Sequence, residues 1–389
     1  MRFISTFVLV LLFSTFFYSA TTQNVKVNNN VVVHTKLPSI KLHNLEKVAR
    51  VTGKSLPHEK FSNSNNTALD YDVYGTDLGI MWHMQGNKVG IFFGDTNGKG
   101  FQPSSGGGNV SDNWRSNVLA FSADTNLKDG LTIQSMVLDE DGKAREVVAG
   151  GKTNAQKYQT SIPTAAIRLN GVDYVHYMNI YDWTAPNCSW LTNFSSIAAS
   201  YDDGQTWERK QEVTFDPMSH FSQVAYAKKD GMVYMIGTRS GRGDDAYLAR
   251  FLEKDILNKK EYEYWNVNSK QWVKGDEESA APVISGPVGE ASLMYHKKYK
   301  TWILTHNYDY RCDKSEPIGK YLIVYRTAKD ITDWSKPEIL VSNQQYPGLY
   351  CAYLHPLNDN EDELYFLMSL WKPYNVFLMK VEIEDIGSF

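Results

Sequence analysis

Two aspartates at the ends of a short predicted hairpin are the residues of this chain best suited to chemistry. Asp77 lies in the segment Gly75–Ile80 and Asp95 in the segment Phe93–Thr96. Alternating apolar residues separate each aspartate from a polar turn at Gln85–Lys88, a pattern that predicts a β-hairpin. In simple register the aspartates would face each other at its open end, with Cβ atoms roughly 4.5–5.5 Å apart.

Two carboxylates held this close repel each other, so a chain keeps them together mainly for a purpose. They can bind a cation, share a proton, or act as an acid/base or nucleophile pair. The alternative is structural, because aspartates beside glycines often cap turns. The hairpin alone is compatible with both interpretations.

The elements that must position these aspartates are predicted to be almost entirely β. From residue 75 onward, short alternating apolar strands are separated by turns such as Asn170-Gly171 and Asp230-Gly231. Hairpins recur with Trp-bearing turns, and roughly five four-stranded units of about 40–60 residues fit the chain. We therefore predict an all-β, five-bladed β-propeller in preference to a sandwich or a β-helix. The segment Ser200–Trp207 fits the Asp-box pattern, a structural turn that occurs in sialidases and in many unrelated propellers.

The N-terminal segment predicts export. A positive charge at Arg2 precedes the apolar run Phe3–Tyr18, and Ser19-Ala20 supplies small residues for cleavage, which is typical of a secretory signal peptide. No later segment approaches the length of a membrane span. The formal charge of −4, with basic residues scattered along the chain, excludes nucleic acid or an anionic membrane as the expected partner.

The three cysteines match no metal or redox motif, so we expect no metal site built from thiolates. We expect no organic cofactor, and no run of ligands marks a calcium site, although a structural calcium in the propeller channel is compatible with the fold. In an oxidising compartment one bridge can form, and we expect it between Cys312 and Cys351, with Cys188 free. Glycosylation sequons stand at Asn65, Asn109, Asn187 and Asn193.

Other polar and aromatic clusters fall at the ends of predicted strands, where a propeller gathers its loops around a central funnel. In chain order the motifs are Tyr74–Gly79, Phe93–Thr96, Trp114–Asn117, Ile162–Thr164, Trp190–Asn193 with the Asp box, and Gly289-Glu290. Together they resemble the DUF4185 family, now classed as glycoside hydrolase family 183, over roughly residues 70–385. The resemblance implies a five-bladed propeller and an endo-acting D-arabinanase, whose essential aspartates match Asp77 and Asp95.

The resemblance also implies a set of site residues. Asp77 and Asp95 would be catalytic, because glycosidic cleavage uses one carboxylic acid to protonate the leaving oxygen and one carboxylate to attack or to activate water. Glu290 would be a third catalytic carboxylate, or else a glutamate salt-bridged at a strand start. The substrate-binding candidates in these motifs, each with a structural alternative such as blade packing, are Arg115, Asn117, Trp190 and Asn193. Outside the motifs, Arg239 stands with Arg242 in a glycine-rich turn and is a further substrate-binding candidate, with a solvated loop as the alternative. Because a glycan would block an active-site asparagine, we expect Asn193 to be unglycosylated.

The sequence therefore predicts a secreted, monomeric glycoside hydrolase that cleaves internal α-D-arabinofuranosyl bonds of a microbial arabinan. Its predicted parts are a signal peptide at 1–20, a leader and propeller-closing segment at 21–69, and the catalytic propeller at 70–389. The alternatives are a sialidase-like hydrolase, prompted by the Asp box, and a propeller that binds glycans without cutting them.

Overall fold

The computed structural model describes residues 34, 36–102, 113–150, 159–186, 188–309, 312 and 321–387. The predicted signal peptide lies outside these residues. The regular structure described is almost entirely β, and it contains no helix long and apolar enough to cross a membrane. The short helical elements are α1 (Thr67–Asp70) and single 3-10 turns at Glu253–Asp255, Lys259–Glu261 and Glu277–Ser279.

The strands form five antiparallel sheets that follow one another along the chain, so the predicted five-bladed propeller is confirmed. The first strand, β1 (Ile40–Arg50), belongs to the last sheet. Blade I comprises β2 (Leu78–His83), β3 (Val89–Phe93), β4 (Val118–Ser122) and β5 (Ser135–Met136). Blade II comprises β6 (Thr160–Leu169), β7 (Val172–Asp182), β8 (Leu191–Ser200) and β9 (Glu208–Phe215).

Blade III is the largest sheet, and the chain itself closes the ring at blade V. Blade III comprises β10 (Gln223–Lys229), β11 (Met232–Thr238), β12 (Asp244–Leu252), β13 (Glu263–Asn266), β14 (Gln271–Lys274) and β15 (Ile284–Val288). Blade IV comprises β16 (Ala291–His296), β17 (Thr301–Asp309), β18 (Tyr321–Ala328) and β19 (Glu338–Ser342). Blade V comprises β20 (Leu349–Leu354), β21 (Glu363–Leu370) and β22 (Asn375–Asp385), with β1 paired to β22 as its outer strand.

The innermost strands form the ring at the centre of the molecule. Each of β2, β6, β10, β16 and β20 contacts the innermost strands of the blades before and after it, including β20 with β2 across the closure. Apolar residues between the blades form the core. Blade I therefore lies between blade V and blade II, an order that decides what surrounds the predicted aspartates.

The Asp box has the structural role that its pattern predicts. The Asp202 carboxylate accepts hydrogen bonds from the backbone and the hydroxyl of Thr206, and the Trp207 indole N–H donates to the carbonyl of Gly204 at 3.0 Å. The Trp207 ring packs against Phe92 of blade I, with centroids 5.1 Å apart. The motif thus fastens blade II to blade I.

The hairpin of blade I forms, but its register at the aspartates differs from the prediction. Partners from Ile80↔Phe92 to His83↔Val89 follow the simple register, whereas a bulge at Gly79 shifts the next pair to Leu78↔Phe93. Gly79 has φ +102°, a conformation that glycine tolerates without strain. As a result the Asp77 carbonyl accepts the N–H of Gly94, and the two aspartates are not a directly opposed pair.

The predicted disulfide is wrong. Cys188 and Cys312 form the bridge, and Cys351 is the buried free thiol. Cys351 lies at the bulge of inner strand β20 with φ +58°, enclosed by the inter-blade core. Sequence spacing cannot reveal this pairing, because the partners come from blade II and blade IV, which only the closed ring brings together.

Candidate active site

A cavity of about 460 Å³ opens where the innermost strands begin. Bulges interrupt three of these strands at this level, at Leu78/Ile80, Pro163/Ala165 and Tyr350/Ala352. A bulge re-aims the side chains beside it, and such features concentrate at functional sites. Among the described residues, the carboxyl groups that line the cavity are those of Asp77, Asp95 and Glu290.

Asp77, in blade I, accepts a hydrogen bond from a residue of blade V, its neighbour across the ring closure. The hydroxyl of Tyr350, in blade V, donates to Asp77 Oδ2 at 3.0 Å. Burial is the main cause that raises the pKa of Asp77 to about 7, while hydrogen bonds from Tyr350 and Tyr374 act in the opposite direction. Asp77 is therefore a carboxyl group that can take up or release a proton near neutral pH.

Asp95 shares the cavity and is held from blade II. The Thr160 hydroxyl donates to Asp95 Oδ1 at 2.6 Å. Burial raises the pKa of Asp95 well above its usual range, the Thr160 hydrogen bond opposes this, and the negative charge of Asp77 adds to it. Because each carboxylate disfavours ionisation of the other, the two titrate as a coupled pair.

Glu290 lies in the same cavity in a different electrostatic setting. Arg242 Nε donates to both carboxylate oxygens, at 3.1 and 2.9 Å, and Arg242 Nη2 donates to Oε1 at 2.5 Å. The Asn307 side chain donates to Oε2 at 2.6 Å and accepts the backbone N–H of Cys351 at 2.8 Å. Both Glu290 oxygens therefore already accept hydrogen bonds from side chains of the protein.

The pairing also determines the charge of Arg242. Burial disfavours the charged guanidinium, but the adjacent Glu290 carboxylate outweighs burial and raises the pKa of Arg242. Among the described residues that line the cavity, Arg242 is the one arginine. Glu290 compensates the charge of Arg242. The cavity therefore contains the acidic pair Asp77 and Asp95 and a neutral ion pair.

Aromatic residues form much of the remaining wall. Trp190, which was predicted to bind substrate, lines the cavity, and its ring lies edge to face with Trp183 at a centroid distance of 5.0 Å. Tyr353 also lines the cavity, and Trp371 meets Tyr374 edge to face at a centroid distance of 5.7 Å. Such surfaces suit the apolar faces of sugar rings.

Arg115 and Asn117, both predicted to bind substrate, are used inside the fold instead. Arg115 Nη2 donates to the carbonyl of Asp72 at 2.8 Å, and its guanidinium lies 3.7 Å from the Asp72 carboxylate. The Asn117 amide is buried and bonded to the backbone of Val148 and Ser161, so it is not free to contact a ligand. Both residues therefore have a structural role, which was the alternative to substrate binding that the sequence analysis left open.

Arg239 and Asn193 also lie outside the cavity lining. Arg239 faces Asp244 with 3.5 Å between Nε and Oδ2. Asn193 is exposed on β8, and its side-chain amide donates to Asn179 Oδ1 at 2.7 Å. Of the other sequons, Asn65 is buried and its amide bonds to the carbonyls of Val51 and Leu131, so the fold shields it, whereas Asn109 and Asn187 lie outside the described residues.

Sequence reasoning missed the residues that orient the carboxylates. Tyr350, Tyr374 and Asn307 carry no recognisable local motif, and Arg242 reads as part of a solvated glycine-rich loop. One signal was available for Arg242: a guanidinium and Glu290 each stand at a strand end of a predicted propeller, where loops converge. No comparable signal marks the tyrosines, because their partner is hundreds of residues away in the chain.

The fold and the site together define a five-bladed β-propeller whose central cavity carries a coupled pair of buried carboxyl groups and aromatic walls. The chain belongs to the family described as "Domain of unknown function (DUF4185)", which matches residues 62–380.

Relatives with similar sequences are fungal. Notoamide biosynthesis cluster protein J of an Aspergillus species is 28% identical over 330 residues, which cover 77% of this chain and 80% of that protein. Among solved structures, a candidate hydrolase from Bacteroides ovatus has a TM-score of 0.56 at 12% identity and covers 81% of this chain and 87% of its own. The catalytic domain of a Coprinopsis cinerea GH62 α-L-arabinofuranosidase has a TM-score of 0.47 at 10% identity, covering 89% and 98%. The Bacteroides similarity supports the fold.

Proposed function

We propose that this protein is a secreted glycoside hydrolase that cleaves internal α-D-arabinofuranosyl bonds of a microbial arabinan. The observation that carries the proposal is the pair Asp77 and Asp95, two carboxyl groups with raised pKa values in one cavity with aromatic walls. Glycosidic cleavage requires a carboxylic acid that is still protonated near neutral pH, together with a second carboxylate. The choice of arabinan rests on the family resemblance of the hairpin motifs.

The roles divide between the aspartate pair and the glutamate. One aspartate protonates the departing glycosidic oxygen, and the other attacks the anomeric carbon or removes a proton from water. Glu290 is not the acid in this proposal, because Arg242 and Asn307 occupy both of its oxygens. Its negative charge instead raises the pKa of Asp77, which keeps that carboxyl protonated to higher pH.

The charges of the cavity argue against the sialidase-like alternative. A sialidase-like site needs a cluster of arginines to hold the carboxylate of the sugar. Here Arg242 is neutralised by Glu290, whereas Arg115 and Arg239 face Asp72 and Asp244 away from the cavity. A neutral substrate is therefore favoured over a sialoside.

Replacement of each aspartate tests the proposal. Purified protein is incubated with D- and L-arabinans, galactans and sialosides, and the products are sized. We expect D-arabino-oligosaccharides from the wild type, and a loss of at least about 100-fold in rate for Asp77→Asn and Asp95→Asn. Asp230→Asn, at an exposed turn far from the cavity lining, serves as the matched control. Wild-type rates in either active-site variant would remove the site assignment, and release of sialic acid would overturn the substrate class.

A second candidate rests on the apolar character of the cavity wall. Leu78, Ile162, Pro163 and Met178 contribute to the lining, and a cavity of this size suits a small organic molecule. The named fungal relatives belong to the notoamide biosynthesis cluster. In this alternative the aspartates transfer protons on an apolar small molecule. Tight binding of such molecules, with no cleavage of any glycan in the panel, would favour it.

A further inference from the structure

Two tryptophans at the cavity are more exposed than such large apolar side chains usually are. Trp183 is 38% exposed and Trp371 is 52% exposed, and both line the cavity that holds Asp77 and Asp95. Exposed aromatic surface of this kind marks sites of binding, since water contact with these rings is unfavourable.

The first aromatic wall, Trp183 with Trp190, belongs to blade II. The two rings meet edge to face at an interplanar angle of 69°. The Trp190 backbone is held by Ser240 of blade III through Trp190 N–H to the Ser240 carbonyl at 3.2 Å and Ser240 Oγ to the Trp190 carbonyl at 2.6 Å. The Arg242 guanidinium lies 5.6 Å from the Trp190 ring centroid. This wall is therefore braced from the neighbouring blade.

The second aromatic wall, Trp371 with Tyr374, lies in the turn between β21 and β22 of blade V. The two rings are perpendicular, at 89°, and the Trp371 N–H donates to the Gly348 carbonyl at 2.9 Å. Tyr350, which donates to Asp77, also contacts the Trp371 ring at a centroid distance of 6.4 Å. Tyr350 therefore connects this wall to Asp77.

Blade order places the two walls on the two blades that flank the blade of the carboxyl pair. Both Asp77 and Asp95 belong to blade I, which contacts blade V on one side through β20 and blade II on the other through β6. Sugars stacked on the two walls would therefore lie on the two sides of blade I, which carries the acid pair. A chain that crosses the cavity would present a bond between sugars to the aspartates.

The charges of the lining restrict which chain can bind. Asp77, Asp95 and Glu290 supply acidic groups, and Arg242, the arginine of the lining, is bound to Glu290 by several hydrogen bonds. Among the described residues that line this cavity there is no lysine. A uronate or sulfated sugar would meet repulsion without a compensating cation, whereas a neutral sugar needs only ring faces and hydroxyl acceptors.

We propose that the Trp183/Trp190 wall and the Trp371/Tyr374 wall are two sugar-binding subsites on opposite sides of the scissile bond, specific for a neutral glycan chain. The proposal rests on the proposed hydrolase function and adds the residues that select chain length and charge. It requires that substrates long enough to occupy both walls bind better than substrates that occupy one.

Trp183→Ala and Trp371→Ala test the subsites, with Trp272→Ala as the matched control. Trp272 lies on β14 of blade III, packs against Trp265 at 5.2 Å and does not line the cavity. We expect each wall variant to lose about tenfold in kcat/KM on long neutral oligosaccharides, a loss equivalent to about 1.4 kcal/mol. Their rates on a short chromogenic glycoside should change less, and Trp272→Ala should match the wild type on both.

Binding to the inactive Asp77→Asn variant separates failure of the subsites from failure of the hydrolase. Isothermal titration with neutral oligosaccharides of increasing length, and with oligogalacturonates of equal length, supplies the affinities. If neutral chains bind more tightly with increasing length but the wild type does not cleave them, the subsite proposal stands and the proposed hydrolase function is overturned. Cleavage by the wild type, with wall variants equal to Trp272→Ala, would overturn the subsites. Equal affinity for oligogalacturonates would overturn the preference for neutral chains, and melting temperatures show whether each variant is folded.

Discussion

The hydroxyl of Tyr350 donates a 3.0 Å hydrogen bond to the carboxylate of Asp77, a residue 273 positions earlier in the chain. This bond joins blade V to blade I at the point where the ring closes. It favours the ionised form of Asp77 and so opposes the effect of burial. Burial raises the proton affinity of the candidate catalytic carboxyl, and this contact across the closure lowers it in part.

Tyr350→Phe removes this donor while keeping the aromatic ring. We expect the pKa of Asp77 to rise above about 7, which shifts the corresponding limb of the pH–rate profile to higher pH. The measurement is kcat/KM as a function of pH for the wild type, Tyr350→Phe and a surface control, Tyr201→Phe. An unchanged profile would show that the hydrogen bond does not control the reaction.

Glu290→Gln distinguishes an electrostatic role from acid catalysis. Loss of the negative charge, and the release of Arg242 from its partner, should both lower the pKa of Asp77 and move the profile to lower pH. We also expect a stability loss of roughly 1–3 kcal/mol, because Arg242 keeps its charge without a partner. The readouts are the pH–rate profile and urea unfolding. A loss of activity as complete as in Asp77→Asn, with no shift of the profile, would instead identify Glu290 as a proton donor.

Gly94→Ala tests how closely Asp77 is packed. A Cβ atom at Gly94 would collide with Asp77 Oδ1 and lie 2.9 Å from a methyl carbon of Leu78. We expect displacement of the carboxylate and a loss of about 10- to 100-fold in kcat/KM, since small misplacements at a reacting centre are costly. Gly142→Ala is the control, because a Cβ there meets open space and its strain affects only stability. Full activity in Gly94→Ala would show that the carboxylate position is not critical.

The raised pKa of Asp77 also predicts how stability depends on pH. The folded protein holds a proton on Asp77 up to about pH 7, whereas the unfolded chain releases it near its ordinary value of 3.8. Folding therefore takes up a proton between these values, and the stability contribution is full below about pH 4 and falls as pH rises to about 7. Asp95 acts in the same direction.

Asp77→Asn removes this ionisation. We expect the variant to be more stable than the wild type at pH 8 and to lose that advantage at pH 4, as followed by chemical unfolding at both pH values. Asp230→Asn again serves as the control. A wild type that gains stability relative to Asp77→Asn as pH rises would contradict the raised pKa.

Sequence pattern was sufficient for the strands and the carboxyl pair. The limits of strands such as β4 and β11 follow from short apolar runs bounded by polar or turn residues. Asp77 and Asp95 stand at the ends of one hairpin, so their proximity depends on a single turn. The exact facing of the pair was not predictable, because the bulge at Gly79 packs against Leu367 and Val376 of blade V.

Arg115 shows why the substrate-binding residues were harder to predict. Its position in a motif beside the hairpin placed it near the aspartates in sequence, but its partner Asp72 draws the guanidinium into the fold. Conversely, Arg242 looked like a loop residue, and only the approach of blade IV supplies Glu290. A residue's type restricts what it can bind, whereas its partners decide which of these options is used.

The sequence by itself determined an all-β propeller, the Asp-box turn and two carboxyl groups on one hairpin, because these depend on local periodicity and on short turns. Only the tertiary structure decided the Cys188–Cys312 bridge, the Tyr350–Asp77 hydrogen bond, the neutralisation of Arg242 and the two aromatic walls. The bridge, the hydrogen bond and the ion pair each join residues from different blades, and the two walls belong to blades II and V, which ring closure brings to one cavity. Their pairing is set by ring closure and inter-blade packing, and local pattern along the chain carries no record of it.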